Sequence, residues 1–300
     1  ITIHTSGSTG KPKEIHMPKT AMYASAVRTA AFFKLSEGTS ALLCLPIQYI
    51  AGKMMLVRAL LLGWHIDIVP PKTKLHIVRK YDFTALIPLQ AKVSFNLLGQ
   101  FKTVLIGGAP ISSNLRQRIS KKYSNCIETY GMTETLTHVA TRYITNSLKQ
   151  FKTMPGISIS KDENDCLIID VPNLPLSPIV TQDIVKLKGD DTFQLLGRRD
   201  WVINSGGIKI FPEELEETLA PYIKFPFFFT GMPDAKLGEK LVLLAEAPAS
   251  KKRELIAIAR KYLDSNKYHI PKEVFCIPAF KYNSMSKLDR IASRNVAYAN

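Results

Sequence analysis

Thr5-Ser6-Gly7-Ser8-Thr9-Gly10-Lys11-Pro12-Lys13 stands close to the start of this 300-residue chain. Apart from Pro12, its side chains are hydroxyls, cations or nothing at all. That is the make-up of a loop that wraps phosphate groups: glycines let backbone N–H groups close on an anion, hydroxyls add donors and lysines add charge. The common nucleotide loop G-x-x-x-x-G-K-[ST] does not fit. Thr5 occupies the place of its first glycine, and Pro12 follows Lys11 where Ser or Thr would meet magnesium. A flexible Gly/Ser linker is the competing reading, and the lysines and proline in so short a run argue against it.

Outward from this loop, hydrophobic periodicity gives alternating elements. Lys19 to Phe33 reads as an Ala-rich helix, Ser40 to Pro46 as a short buried strand, Lys53 to Leu62 as a buried helix closed by Gly63, and Trp64 to Val69 as the next strand. Phe83–Pro88, Thr103–Ile106 and Cys126–Thr129 read as further strands with helices between them. Such alternation predicts a parallel α/β sheet, whose ligands sit beyond the carboxyl ends of the strands. Gly107-Gly108-Ala109-Pro110 and Tyr130-Gly131 each follow an apolar run and fall there. From Lys161 to Gly197 the pattern changes to short strands and turns, with Asp190-Asp191 as a hairpin tip. About 100 residues beyond Gly197 follow their own plan: a loop at Ser205-Gly206-Gly207, a helix from Pro212 with acids in its first turn, a strand over Phe225–Thr230, a hairpin through Gly231–Glu246 and a helix over Lys251–Asn266. The domains predicted are therefore 1–197 and 198–300.

Composition narrows the class. With 46% hydrophobic residues the chain can bury the cores of two domains. The longest apolar stretch, Met54 to Trp64, is broken by Arg58 and Gly63 and is far short of the ~20 residues that span a bilayer, so no membrane span is expected. Ile1 carries no initiating methionine, and no signal-peptide pattern follows it. The strand-like opening Ile1-Thr2-Ile3-His4 reads as a fragment or a trimmed start. Cys44, Cys126, Cys166 and Cys276 are too far apart for zinc or redox motifs and read as buried apolar groups in a reducing cytoplasm. The six histidines form no ligand pattern. A net charge of +15 raises the question of nucleic acid. The cations come in scattered pairs such as Lys72/Lys74 and Lys121/Lys122, without an aromatic-lined stripe, and read as solvated faces, so no nucleic-acid partner is expected.

Three further blocks give the loop its context: Tyr130-Gly131-Met132-Thr133-Glu134, then Gly197-Arg198-Arg199-Asp200 running on to Glu214-Leu215-Glu216, then Asn283-Ser284-Met285-Ser286-Lys287-Leu288-Asp289-Arg290. In that order they resemble the adenylate-forming superfamily of acyl-CoA synthetases, adenylation domains and luciferases, over residues 4 to 290. The resemblance implies a large N-terminal α/β domain and a small C-terminal α+β domain rotating about a hinge, with much of the family's usual N-terminal part lying outside this chain. It implies ATP, Mg2+ and coenzyme A as cofactors and a small-molecule carboxylic acid as substrate.

Activating a carboxylate with ATP brings two anions together, so catalysis is alignment and charge neutralisation. The resemblance puts Thr5, Ser6, Gly7, Ser8, Thr9, Gly10 and Lys11 on the β- and γ-phosphates, Thr133 on the α-phosphate and Glu134 on the metal. It puts Tyr130, with Gly131 beside it, against adenine in a pocket lined by Gly108 and Ala109. Val180-Thr181-Gln182-Asp183 resembles the block Tyr-x-Thr-Gly-Asp, which implies ribose contacts for Asp183 and Arg198. Lys287 corresponds to the lysine that bridges substrate carboxylate and α-phosphate. Asp200 matches the hinge, and Ser205, Gly206 and Gly207 match a loop whose small residues leave room for a pantetheine arm. Leu45-Pro46-Ile47-Gln48-Tyr49-Ile50-Ala51-Gly52 resembles o-succinylbenzoate–CoA ligases of menaquinone biosynthesis, with Tyr49 in place of their histidine. A dicarboxylate acid needs a cation for its second carboxylate, and Lys53 and Arg58 are candidates by position. An enzyme loading a carrier protein, a synthetase for another aryl or medium-chain acid, and a nucleotide-binding module without catalysis are the alternatives. The sequence leaves the oligomeric state open.

Overall fold

The computed structural model describes residues 1–4, 14–145, 149–263, 266–282 and 288–298. Inter-residue contacts divide the chain into two compact units. The first is Ile1–Thr181 with Val185–Leu195, and the second is Gln182–Ile184 with Leu196–Asn300.

In the first unit, strands β1 (Thr2–His4) and β2 (Glu14–His16) pair antiparallel, Ile3 opposite Ile15, on either side of residues 5–13. Helix α1 (Lys19–Phe33) starts after Pro18 and ends at Lys34 in the left-handed conformation. Its buried positions Ala21, Met22, Ser25, Ala26, Thr29 and Ala30 recur every four residues, which makes one narrow stripe of side chains that are small except at Met22. Strand β3 (Ser40–Leu43), helix α2 (Ile50–Leu62) and strand β4 (His65–Ile68) follow. Then come β5 (Tyr81–Leu86), α3 (Pro88–Val93), β6 (Phe101–Ile106), α4 (Ser113–Lys122) and β7 (Cys126–Gly131). These five strands are parallel, in the order β4-β3-β5-β6-β7. Their register follows from burial: Phe83 and Leu42 are fully buried with the helices packed over them.

Beyond β7 the sheet turns antiparallel through β8 (His138–Tyr143), β9 (Gln150–Thr153), β10 (Ser158–Lys161), β11 (Cys166–Asp170), β12 (Ile179–Leu187) and β13 (Thr192–Arg198). The result is one 11-stranded sheet in the order β10-β11-β12-β13-β9-β8-β7-β6-β5-β3-β4. The predicted hairpin tip at Asp190-Asp191 lies between β12 and β13.

The second unit builds β14 (Ile203–Ser205), β15 (Ile208–Ile210), α5 (Pro212–Leu219), β16 (Phe227–Asp234), β17 (Gly238–Glu246), α6 (Lys252–Tyr262), β18 (Glu273–Ile277) and α7 (Arg290–Tyr298). Its sheet runs β15-β14-β17-β16, with β18 parallel to β17. Phe228, Phe229, Leu243 and Leu244 are essentially inaccessible to solvent and fill its core. Two expectations need correction here. The hairpin does not begin at Gly231, because β16 continues through Pro233 to Asp234 and turns only at 235–237, where Asp234 Oδ1 accepts the N–H groups of Lys236 and Leu237. The helix predicted to Asn266 ends at Tyr262. Among the described residues, no helix is long and apolar enough to cross a membrane. The four cysteines are free, three of them buried.

Candidate functional site

Because β3 to β7 of the first unit are parallel, their carboxyl ends emerge at one edge of the sheet. The chain runs from β3 through α2 to β4 on one flank, then crosses back past β3 to β5 and proceeds to β7 on the other. A crevice for ligands forms where such a sheet reverses its direction of winding. Buried Gln90 ties that point together: its Nε2 donates to the Cys44 carbonyl at 2.9 Å and the Lys72 carbonyl at 3.1 Å, while its Oε1 accepts from Ile87 N at 3.2 Å.

Gly107 and Gly108 leave β6 at this edge. A Cβ at Gly107 would stand 2.2 Å from Thr129 Oγ1, and Gly108 has φ +81°, so the close approach of two strands and the turn itself both demand glycine. A Cβ on Gly108 would find nothing nearer than 3.8 Å, which leaves a bare backbone face, and Ala109 is exposed beside it. Tyr130 is the penultimate residue of β7, and the register shifts between it and Gly131. Its half-buried ring packs against Phe193 at 5.3 Å and Phe151 at 5.8 Å between ring centres. The turn that follows carries Thr133 and Glu134, both half-buried. Thr135 holds the turn together, accepting from Met132 N at 2.9 Å and donating to the Thr137 carbonyl at 2.7 Å. A flat ring fits a bare glycine backbone. Glu134 is a single carboxylate, and among the described residues no group of three or more His, Cys, Asp or Glu is placed to hold a metal. That donor set suits magnesium, which keeps its waters and takes phosphate oxygens, and not zinc.

Of the acid-pocket candidates on α2, Tyr49 is exposed and immediately precedes the helix, and Lys53 is half-buried on its first turns. Arg58 is buried at 3% exposure. Positions 53 and 58 lie about 140° apart round a helix, so the two cations do not share a face. Arg58 Nη2 donates to Thr137 Oγ1 at 3.2 Å, and its Nε finds no partner among the described residues. No carboxylate pairs with it among the described ion pairs, and burial pushes its pKa down to about 10. His138, which the sequence reading passed over, stands next to it: Nδ1 lies 3.1 Å from Thr137 Oγ1 and Nε2 lies 3.3 Å from Thr29 Oγ1. Burial, together with the positive charges of Arg58 and Arg28, holds this imidazole well below its ordinary pKa, hence neutral. No spacing pattern in the sequence marks these groups, since they come from α1, α2 and the start of β8.

In the second unit, buried Asp183 faces Arg198, with Oδ1 at 3.7 Å from Nη1, and Arg198 Nη2 also reaches Asp200 Oδ2 at 3.1 Å. The Arg198 backbone N–H donates to Glu213 Oε1 at 3.0 Å, and burial pushes the Glu213 carboxyl up. Gly206 (φ +61°) and Gly207 (φ +81°) form the two-residue turn between β14 and β15, so the hairpin itself requires them, and Ser205 is buried. Thr5 to Lys11 and Lys287 lie outside the described residues.

A family model described as AMP-binding enzyme matches residues 1–180. Among curated relatives, the 2-succinylbenzoate–CoA ligase of Bacillus cytotoxicus is 24% identical over 330 residues, covering 96% of this chain and 68% of that protein. The ligase of the same name from Bacillus subtilis is 25% identical over 329 residues, covering 96% and 67%. Among solved structures, the acyl-CoA synthetase (AMP-forming)/AMP-acid ligase II-like protein from Dyadobacter fermentans is 34% identical, with 99% of this chain and 89% of that one covered at a TM-score of 0.63. The Bacillus subtilis O-succinylbenzoate coenzyme A synthetase, solved with ATP and magnesium, is 23% identical, with 98% and 69% covered at a TM-score of 0.83.

Proposed function

We infer the activity from one premise: this chain belongs to the AMP-binding enzyme family. It is an AMP-forming acid–CoA ligase. A carboxylate oxygen of the acid bonds to the α-phosphorus of ATP and pyrophosphate leaves; the thiol of coenzyme A then bonds to the acyl carbon and AMP leaves. The observation that carries this reading is the turn Thr133–Glu134 after β7 and the bare backbone at Gly108 after the neighbouring strand β6, both at the carboxyl edge of the parallel strands.

Each residue is given the part its chemistry suits. Thr5, Ser6, Ser8, Thr9 and Lys11 hold the β- and γ-phosphates, with Gly7 and Gly10 giving backbone access. Gly108, Ala109, Tyr130 and Gly131 line the adenine pocket, and Asp183 with Arg198 takes the ribose hydroxyls. Thr133 donates to the α-phosphate and Glu134 holds the metal. Mg2+, when bound with ATP, offsets phosphate charge. Lys287 neutralises the charge that builds between carboxylate and α-phosphate. For the second half-reaction the φ/ψ change falls near Asp200, and Ser205, Gly206 and Gly207 flank the pantetheine arm. The domains of this cycle are 1–197 and 198–300. The +15 net charge favours encounter with both polyanions, ATP and coenzyme A. Four free cysteines fit a reducing compartment, the cytoplasm.

The acid is o-succinylbenzoate, which places the step in menaquinone biosynthesis. Support comes from the curated relatives' names and from Arg58, a buried cation that has no carboxylate partner among the described residues and whose counter-charge a second substrate carboxylate supplies. Exposed Tyr49, just ahead of α2, is assigned to the acid pocket, and Lys53 is the alternative cation. Acid-dependent ATP–pyrophosphate exchange tests this. Arg58→Met is expected to raise KM for o-succinylbenzoate about tenfold or more, the worth of a charge-assisted contact, with little change in KM for ATP. If Arg58→Met and Lys53→Ala both leave that KM unchanged, the assignment of a dicarboxylate falls.

A further inference from the structure

The hydrogen-bond directions around Arg58 can be worked out from one end. Thr29 Oγ1 donates its proton to the Ser25 carbonyl at 2.9 Å, so towards His138 Nε2 it can only accept. Nε2 therefore carries the imidazole proton and Nδ1 is the acceptor. Thr137 Oγ1 spends its proton on Nδ1 and is left as an acceptor for Arg58 Nη2. The chain runs in one sense from guanidinium to Thr137 to His138 to Thr29 to a backbone carbonyl, and every link is neutral except the first. The Phe33 ring, 6.0 Å from the imidazole and edge-on to it, packs alongside.

A protein that only needed to bury Arg58 would place a carboxylate beside it, as this chain does elsewhere by setting Glu128 against Arg116 and Arg142. Here the guanidinium is aimed by a neutral acceptor and keeps its whole charge. We infer that His138, acting through Thr137, is a positioning residue that fixes Arg58 without neutralising it, so that the counter-charge is left to a carboxylate of the acid substrate. This rests on the reading of the acid as a dicarboxylate. It adds a requirement that the reading itself does not make: the acceptor at position 138 must be present and must be uncharged.

The test measures KM for o-succinylbenzoate and for 3-benzoylpropionate, the same skeleton with one carboxylate removed, together with KM for ATP and thermal midpoints. His138→Asn keeps an acceptor where Nδ1 stands and is expected to stay within about threefold of the parent KM, while His138→Phe keeps ring volume without an acceptor and raises it about tenfold. His138→Glu supplies an internal counter-ion and is expected to raise KM for the dicarboxylate by more than tenfold without lowering the thermal midpoint, an effect of about the size of losing the charge pair itself. The monocarboxylate shows none of these differences. Thr137→Val, isosteric and without a hydroxyl, repeats the effect of His138→Phe should the latter lose its fold, and Thr137→Ser restores the parent behaviour. The inference is overturned if His138→Phe and Thr137→Val both leave KM for the dicarboxylate at the parent value, or if the monocarboxylate is affected equally. With Arg58→Met still raising KM, that outcome removes only the positioning role. With Arg58→Met silent as well, Arg58 loses the carboxylate, and the dicarboxylate reading goes with it once Lys53→Ala is also silent.

Discussion

Replacing Lys287 by alanine is expected to slow acid-dependent pyrophosphate release by about 10²–10³-fold, the usual cost of removing one preorganised charge from a transition state. The reasoning begins with the reactants. A carboxylate must approach a phosphorus surrounded by anionic oxygens, so bringing them together raises the local negative charge before any bond has formed. A cation that meets both oxygens at that moment stabilises the transition state more than either bound substrate, which lowers kcat and spares KM when it is lost. Lys287, in Asn283-Ser284-Met285-Ser286-Lys287, is the residue to which the resemblance assigns that part. The thioester-forming step has a different demand, since the thiol attacks an acyl carbon already activated. Supplied with preformed acyl-adenylate, the Lys287→Ala protein should therefore make the CoA thioester at a rate within about threefold of the parent. A loss of less than about tenfold in pyrophosphate release, or an equal loss in both half-reactions, would take that role away from Lys287.

The second large effect concerns stability. Glu128 on β7 is 5% exposed and accepts from Arg116 of α4 and Arg142 of β8. Burial pushes its carboxyl up, and the two guanidiniums pull it the other way far enough to hold it below the ordinary value. Removing this carboxylate strands two partly buried cations against each other. Glu128→Ala is expected to cost about 3 kcal/mol, towards the low end for a broken buried pair because both arginines keep some access to water. For a domain of this size that is a fall of roughly 6–12 °C in thermal midpoint. The exposed pair Lys251–Glu254 is the control, and Lys251→Ala should change stability by no more than about 0.5 kcal/mol. The loss reaches the candidate site through packing. Arg142 lies over the Phe151 ring at 4.4 Å, Phe151 stacks on Phe193 at 5.6 Å, and both abut Tyr130. A thermal midpoint unchanged in Glu128→Ala would mean that the arginines re-pair or hydrate at no cost.

Local pattern carried a great deal of this fold. Helix α1 spans the residues its periodicity predicts because Pro18 fixes one end and no competing signal lies within it. Most of the parallel strands were legible because β3, β5 and β6 are short apolar runs closed by Gly or Pro and followed by a helix, and the same alternation located Gly107–Pro110 and Tyr130–Gly131 at the carboxyl edge. What escaped was set by tertiary context. Pro233 reads as a turn, yet it sits within β16 and the turn comes after Asp234. Lys53 and Arg58 are candidates by position alone in the sequence, and helical phase sends them to different faces. His138 carries no motif. Its meaning depends on hydroxyls from positions 29 and 137 and on a guanidinium from position 58, and only the packing of α1, α2 and β8 brings these together.

The central claim, a carboxylate activated as an adenylate and then passed to a thiol, is tested most directly by mass spectrometry of the protein incubated with Mg-ATP and o-succinylbenzoate, with and without coenzyme A. The expected result is an o-succinylbenzoyl-adenylate in the absence of the thiol, replaced by o-succinylbenzoyl-CoA and AMP once it is added. Formation of ADP in place of AMP, or no adenylate from any carboxylic acid supplied to folded, ATP-binding protein, would contradict it.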